Sequence, residues 1–555
     1  MKNIIINVRG KIVLSLLLLS IGLSSCKDYL EVTPRAQVSD ATLWTSKDNA
    51  DLFLNGIYSS IRGPIDFFDH GDNYTDNTIS QYLWAGSRGI YVLGIQTPGT
   101  LSNLQQWNQY TNIRKCNVFI TKVEGSSLDA NWKKLKIAEA RFLRAYFYSL
   151  LWTTYGGVPI IKDVLNINEQ GDAIFRARAT DKETYQFIVD ECAAIAKDLP
   201  LKPERSKVSS GAALTLKAWC ELFNASPLKN PGNDLTKWAL AAATNKQVMD
   251  MKVYSLFSDH ETLLFEKSNN NVEVIFDKTY LGGTNIGNSR SGYQPIGVAG
   301  GTQNSWSGVN ITQEHIDEYA MANGLPITDP ASGYNPQNPY VNREKRFYDD
   351  ITYDGSKWMG FESIYWTGSK SLNELDLNFG STNRPCTVYH PRKGIEPQYY
   401  VNGNNLLSSA NWIIFRYAEV LLSYAEAQNE AVGPDVSVYN AINMVRERVQ
   451  LPSLEAGLSQ NKMRIAIQRE RRVELCFEDK RMPDLLRLKL AEKLIPGTVH
   501  TMQIEVKNGV KVYTVVPTGG NNRAFNAAKD YLHPIPQTAL DRNKNLVQNP
   551  VYGKN

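Results

Sequence analysis

The sequence predicts a mostly α protein: a scaffold of stacked helix pairs of the tetratricopeptide kind, interrupted by a large loop-rich insertion. Three observations predict it. Apolar residues recur at three- and four-residue spacing in successive blocks from Ala50 to Met249, the period of amphipathic helices. Within those blocks small residues (Ala138, Ala145, Ala212, Ala213, Ala218, Ala239, Ala241, Ala243) alternate with bulky ones (Phe142, Tyr146, Trp152, Trp219, Trp238), which lets neighbouring helices approach closely. From about Val272 to Ser409 the text turns to Gly, Asn, Pro, Tyr and Trp, before helical periods return. With 555 residues, 42% hydrophobic and 21% charged, the chain has the composition of a water-soluble globular protein.

The first element is a leader. Lys2, Arg9 and Lys11 precede an apolar stretch from Ile12 to Leu23, which matches a signal-peptide core and falls short of the ~20 residues that span a bilayer. It ends Leu23-Ser24-Ser25-Cys26, similar to the bacterial lipobox, so residues 1–25 are expected to be removed and Cys26 acylated. Two or three acyl chains hold a protein firmly, since each buried methylene contributes ~0.8 kcal/mol. A plain secretory signal is the alternative. Residues 26–45, polar and containing Pro34, read as a tether.

Residues 46–271 form an N-terminal helical region. A helix containing Ala50, Leu54 and Ile57 is stopped by Gly63-Pro64, and Asp66 to Gly99 reads as a long loop. Helices follow at about 104–123, 131–153, 182–199, 209–224 and 235–249, with Trp132, Trp152, Trp219 and Trp238 expected in the core. Residues 272–555 form a C-terminal region: a short strand at Val272–Phe276, the insertion to about 409, helices at 413–429, 436–448 and 462–478, and an extended tail.

The net charge of +4 includes three leader cations, so the mature chain is near neutral and has no global footprint for nucleic acid. Cys116, Cys192, Cys220, Cys386 and Cys476 are odd in number after an export signal, which excludes a fully paired disulfide framework. Four of them sit in apolar helical patterns, as small hydrophobes. The chain lacks GxSxG, GxxxxGK[ST] and HExxH, and its histidines are scattered singly. Glu470, Glu474 and Glu478 share one helix face, where they are expected to meet Arg416, Arg472 and Arg481. Neighbours on one face do not flank a scissile bond from opposite sides, as glycosidase carboxylates must. No catalytic residue, metal site or cofactor is expected. The acids between Asp69 and Asn77 lack calcium-loop spacing.

Several ordered blocks are more specific. They are Ala138-Glu139-Ala140-Arg141-Phe142-Leu143-Arg144-Ala145-Tyr146 running into Tyr155-Gly156-Gly157-Val158-Pro159; Arg416-Tyr417-Ala418-Glu419; Arg469-Glu470-Arg471-Arg472-Val473-Glu474-Leu475 with Phe477-Glu478 and Arg481; and Leu532-His533-Pro534-Ile535-Pro536 with Gln548-Asn549-Pro550. Together they resemble the SusD/RagB family of Bacteroidetes outer-membrane nutrient-binding lipoproteins, over nearly everything after Cys26. Asp479 departs from the family's usual Gly, Ala539 from its frequent Glu, and Val551 from its usual Gly.

The resemblance implies a non-catalytic protein that captures oligosaccharides, or in some members peptides, and delivers them to a SusC-like TonB-dependent transporter. Sugar rings have apolar faces that stack on Trp or Tyr and hydroxyls that need polar partners. Loops that carry both are therefore the expected glycan site. Asp72, Asn73 and Asp76 with Tyr82 and Trp84 form one such group, and Tyr293, Trp306, Trp358 and Trp366 form a second within the insertion. A surface glycoside hydrolase and a helical-repeat adhesin are the competing expectations.

Overall fold

A computed structural model describes residues 40–63, 71–80, 82, 88–202, 206–282, 307–358, 360–371, 373–377, 384–398, 408–519 and 523–553. The longer helices are α1 (Lys47–Tyr58), α2 (Gln109–Glu124), α3 (Ala130–Tyr155), α4 (Asp181–Ile195), α5 (Ser210–Ala225), α6 (Leu235–Asp250), α7 (Tyr417–Val432), α8 (Val436–Arg448), α9 (Gln460–Glu474) and α10 (Arg481–Arg487). The longer strands are β1 (Val274–Lys278), β2 (Trp412–Arg416), β3 (His500–Lys507) and β4 (Val510–Pro517). The fold is mostly α.

Helix starts follow local chemistry. Asp129, Ser209, Asp234, Asp435 and Ser459 each cap a helix by accepting from a backbone N–H of its first turn, which satisfies donors the helix cannot. Thr180 and Glu183 cap α4 reciprocally. At the other end of α3, Gly156 turns the chain at φ 76°. A Cβ on Gly157 would overlap the Ala179 carbonyl oxygen. The paired glycines of Tyr155-Gly156-Gly157-Val158-Pro159 thus answer two needs, a left-handed turn and a close backbone approach.

Neighbouring helices pack in sequence order, α2 on α3, α3 on α4, α4 on α5 and α5 on α6. The stack then continues from α6 directly to α7, across the whole insertion, and α7 carries α8 and α9. One apolar core runs through all of these helices, from Trp44 to Ile535. Trp152 and Trp238 are buried in it, whereas Trp132 and Trp219 are only partly buried at its edge. Each fully buried Leu, Ile or Phe there contributes roughly 1.5–3 kcal/mol.

The helix expected from 104 begins at Gln109 and the one expected to reach 478 ends at Glu474, and two segments differ in kind from the sequence-based expectation. The helix expected from Ile413 begins only at Tyr417, because Trp412–Arg416 is a buried strand paired antiparallel with β1. Its apolar, β-branched run fits either state locally, and the non-local pairing decides. Residues 500–517, assigned no element from sequence, form the hairpin β3–β4. Its turn is Asn508-Gly509 at φ 53° and 80°, the left-handed pair that matches strand twist.

The insertion has an apolar cluster of its own. Tyr319, Tyr340, Phe347 and Tyr389 pack there with Val473 near the end of α9, with Phe477 just past it, and with Met502 and Ile504 of β3. This second core ties the insertion to the C-terminal helices.

Candidate functional site

The expected polar loop residues turn inward. Asp76 is buried, and Arg481 donates to both of its carboxylate oxygens at 2.8 and 2.7 Å. Arg472 lies 3.0 Å away. Burial alone would raise the Asp76 pKa, but the two guanidinium groups hold it well below the carboxylate range. Asp72 accepts from the Phe477 backbone N–H at 3.0 Å. Asn73 donates to the Gly308 carbonyl at 3.1 Å and accepts from Thr78 at 2.8 Å. These groups, read from composition as ligand contacts, make their hydrogen bonds inside the protein, where such bonds offset the cost of burying polar atoms.

The aromatic residues divide three ways. Tyr82 and Trp358 are buried, with the Arg392 guanidinium 5.9 Å from the Trp358 ring centre. Trp366 is half-buried against the second core. Trp84, Tyr293 and Trp306 lie outside the described residues, as does Cys26.

What the inward-facing group builds is a frame at the stems of the loops. Thr78 pairs with Ile311 and Ile79 with Asn310. Thr312 donates its hydroxyl to the Asp76 carbonyl at 2.7 Å, and the Asn310 side chain accepts from the Cys386 N–H at 3.2 Å. Trp84 follows the first of these paired strands by a few residues, and Trp306 precedes the second by a few. The two paired strands thus stand close in sequence to both tryptophans.

Beneath the frame lies a buried ionic network. Glu474 meets Arg416 at 2.7 Å and Arg346 at 3.1 Å, and it also pairs with Arg448. Glu478 meets Arg416 at 2.8 Å and Lys393 at 2.7 Å. Glu470 meets Arg346 at 2.6 Å and Arg446 at 3.2 Å. Arg416 is the expected partner, whereas Arg472 and Arg481 turn instead to Asp76, Arg472 also reaching Glu318 at 2.7 Å. Helix α9 ends at Glu474, and the chain then passes Phe477 and Asp479 at φ 61° and 59°, so Glu478 reaches Arg416 from a turn. These carboxylates are spent on cations.

A cleft of about 230 Å³ opens between the helical stack and β2. Tyr146 and Leu150 of α3, Trp219 and Phe223 of α5, Trp412 of β2 and Met482 of α10 supply apolar walls. Ser149, Thr153, Thr154, Arg62 and Asp479 supply polar ones. Burial, against Arg62 and with Asp479, pushes the Tyr146 phenol up to about 12, so it stays protonated and able to donate. Sequence reasoning placed Trp219 in the core. Its signal was there, since Leu216, Trp219 and Phe223 form a stripe on α5 beside the small residues that pack against neighbouring helices.

Comparisons with known proteins bear on the whole chain. The family model described as "SusD family" matches residues 272–552, and one described as "Starch-binding associating with outer membrane" matches residues 28–219. The SusD-like protein P2 of Formosa agariphila is 25% identical, over 97% of this chain and 99% of its own. A solved SusD-like protein of Bacteroides fragilis superposes with a TM-score of 0.76 at 27% identity, covering 93% of this chain and 99% of that one. A solved SusD-like carbohydrate binding protein from the same organism gives 0.77 at 25% identity, covering 91% and 100%. With its fold, its ordered sequence blocks and nearly all of its length matched, the chain belongs to the SusD/RagB family.

Proposed function

We propose that this protein binds oligosaccharides or polysaccharides at the cell surface and delivers them to a SusC-like TonB-dependent outer-membrane transporter, without cleaving them. The observation that carries the reading is the match along almost the whole chain to a solved SusD-like carbohydrate binding protein. The family description that places starch binding at the outer membrane supports it as well. In this reading Cys26 carries the acyl anchor and the chain lies at the outer face of the outer membrane.

Ligand contacts fall to Trp84, Tyr293 and Trp306, with Trp366 at the margin. Asp72, Asn73 and Asp76 brace the described backbone beside the Thr78–Ile79 strand, and Tyr82 and Trp358 are buried. Stacked rings favour a flat, hydrated polymer surface.

The test is retardation of the purified full chain in native gels that contain individual polysaccharides, with Trp84→Ala and Trp306→Ala as variants. At least one polysaccharide should retard the wild type and not the variants, with no shortening of the polymer on long incubation. A transporter should accompany the protein through extraction in mild detergent. Binding only to peptides, or release of reducing ends, would refute the glycan reading.

A further inference from the structure

We propose that the cleft between α3, α5 and β2 is a second binding site that takes a single sugar ring, apart from the loop surface that meets polymer. The proposal rests on the glycan reading for its ligand class, and on the cleft alone for its geometry.

The first argument is the state of the hydroxyls. Ser149 donates to the Tyr146 carbonyl at 2.7 Å, Thr153 to the Ser149 carbonyl at 2.9 Å and Thr154 to the Leu150 carbonyl at 2.7 Å. A hydroxyl whose proton is committed to the helix offers only lone pairs to a ligand. This wall of α3 therefore accepts.

The second argument is Asp479. It holds a left-handed backbone at φ 59°, a conformation that side chains adopt at a cost and that clusters at functional positions. Its Oδ1 packs against Gly71 without a hydrogen-bond partner among the described residues. A buried carboxylate oxygen left so is another acceptor in need of a donor.

Acceptors on one side and a flat ring on another select the ligand. Trp219 offers a face for apolar C–H groups, while the hydroxyls and Asp479 take protons from ligand O–H groups. Arg62 and the Tyr146 phenol donate in return. A ring with hydroxyls along its edge and C–H groups on its face satisfies all three demands. An ammonium ion satisfies the acceptors but leaves the donors of Arg62 and Tyr146 unmatched. The volume, about 230 Å³, holds one ring rather than a chain.

Saturation-transfer NMR on the full chain in detergent tests this with D-glucose, D-galactose, D-mannose and N-acetyl-D-glucosamine, one at a time, and with methylammonium as the cationic probe. At least one sugar should receive saturation, and Trp219→Ala should weaken its binding ~tenfold, the loss of one stacking partner. Thr153→Val, which keeps shape and removes an acceptor, should weaken it too while polysaccharide retardation stays at the wild-type level. Thr153→Val decides the matter if Trp219→Ala unfolds. Silence from every sugar, binding indifferent to both variants, or binding of methylammonium alone would overturn the proposal. If a sugar binds in the cleft but no polysaccharide retards the protein, the loop-surface reading fails and this one stands.

Discussion

Replacing Arg416 by Met tests the energetic reading of the buried network. The Arg416 side chain is 1% exposed and donates to three carboxylates, at 2.7 Å to Glu273, 2.7 Å to Glu474 and 2.8 Å to Glu478, as well as to the Glu474 carbonyl. Methionine has similar reach and no charge. After the change Glu474 keeps Arg346 and Arg448, Glu273 keeps Arg448, and Glu478 keeps Lys393. No acid is stranded, but three lose their shared cation in a place water does not reach. Removing one partner of a buried ion pair costs ~3–5 kcal/mol. An unfolding entropy of ~2.1 cal/mol/K per residue over ~500 residues gives ~1 kcal/mol/K, so the melting temperature should fall by ~3–5 °C. Scanning calorimetry at neutral pH reads this directly. Combining Arg416→Met with Glu478→Gln should cost less than the two singles together, by ~0.5–3 kcal/mol, because the second change removes an acid the first left short of charge. A single variant that melts within ~1 °C of wild type would refute the reasoning.

Three further outcomes follow from other parts of the molecule. Burial would raise the Asp484 pKa, but Arg471 and Arg487 outweigh it and lower it from 3.8 to about 2. A depressed carboxylate stabilises the fold fully above its unfolded value of 3.8 and loses that contribution as pH falls through about 2, a difference on the order of 2–3 kcal/mol. Melting curves taken across that window should therefore be less steep in pH for Asp484→Asn than for wild type. Gly157→Ala should destabilise by ~1–3 kcal/mol in denaturant titration, since the added methyl meets backbone that does not yield. Cys26→Ala should move the protein from the membrane pellet to the soluble fraction, with loss of the acyl mass at the mature N-terminus.

Much of the fold was legible because helices are local. The expected span 436–448 coincides with α8, whose start is marked by Asp435 and whose apolar residues keep period. The expected bounds of α3, α5 and α6 lie within a residue or two of the observed ones. Strand β2 was not legible, since its partner β1 lies on the far side of the insertion and nothing in Trp412–Arg416 itself distinguishes a strand from the first turn of α7. The β3–β4 hairpin was legible and passed over, for Asn508-Gly509 between alternating residues is a strong local turn signal. The site was the least legible part. Asp72, Asn73 and Asp76 look like solvated loop residues until Phe477, Arg472 and Arg481 are brought to them from near the other end of the chain. Composition identifies polar groups, but it does not say whether their partners are ligand or protein. Trp219 shows the converse, an aromatic among apolar neighbours that nevertheless borders open space.

Strands β1 and β2 lie side by side, so the long segment between them departs from and returns to almost the same point, one strand spacing apart. A segment with adjoining ends can be lengthened, shortened or exchanged while the helical stack keeps its shape. Arg346 and Lys393 would have to travel with any replacement, because they reach out of the segment to neutralise Glu474 and Glu478. So would Tyr319, Phe347 and Tyr389, which pack on Val473 and Phe477, and the Asn310–Ile311 strand that pairs with Thr78 and Ile79, which leaves the loops beyond these contacts as the natural cassette for grafting the recognition properties of one relative onto the body of another.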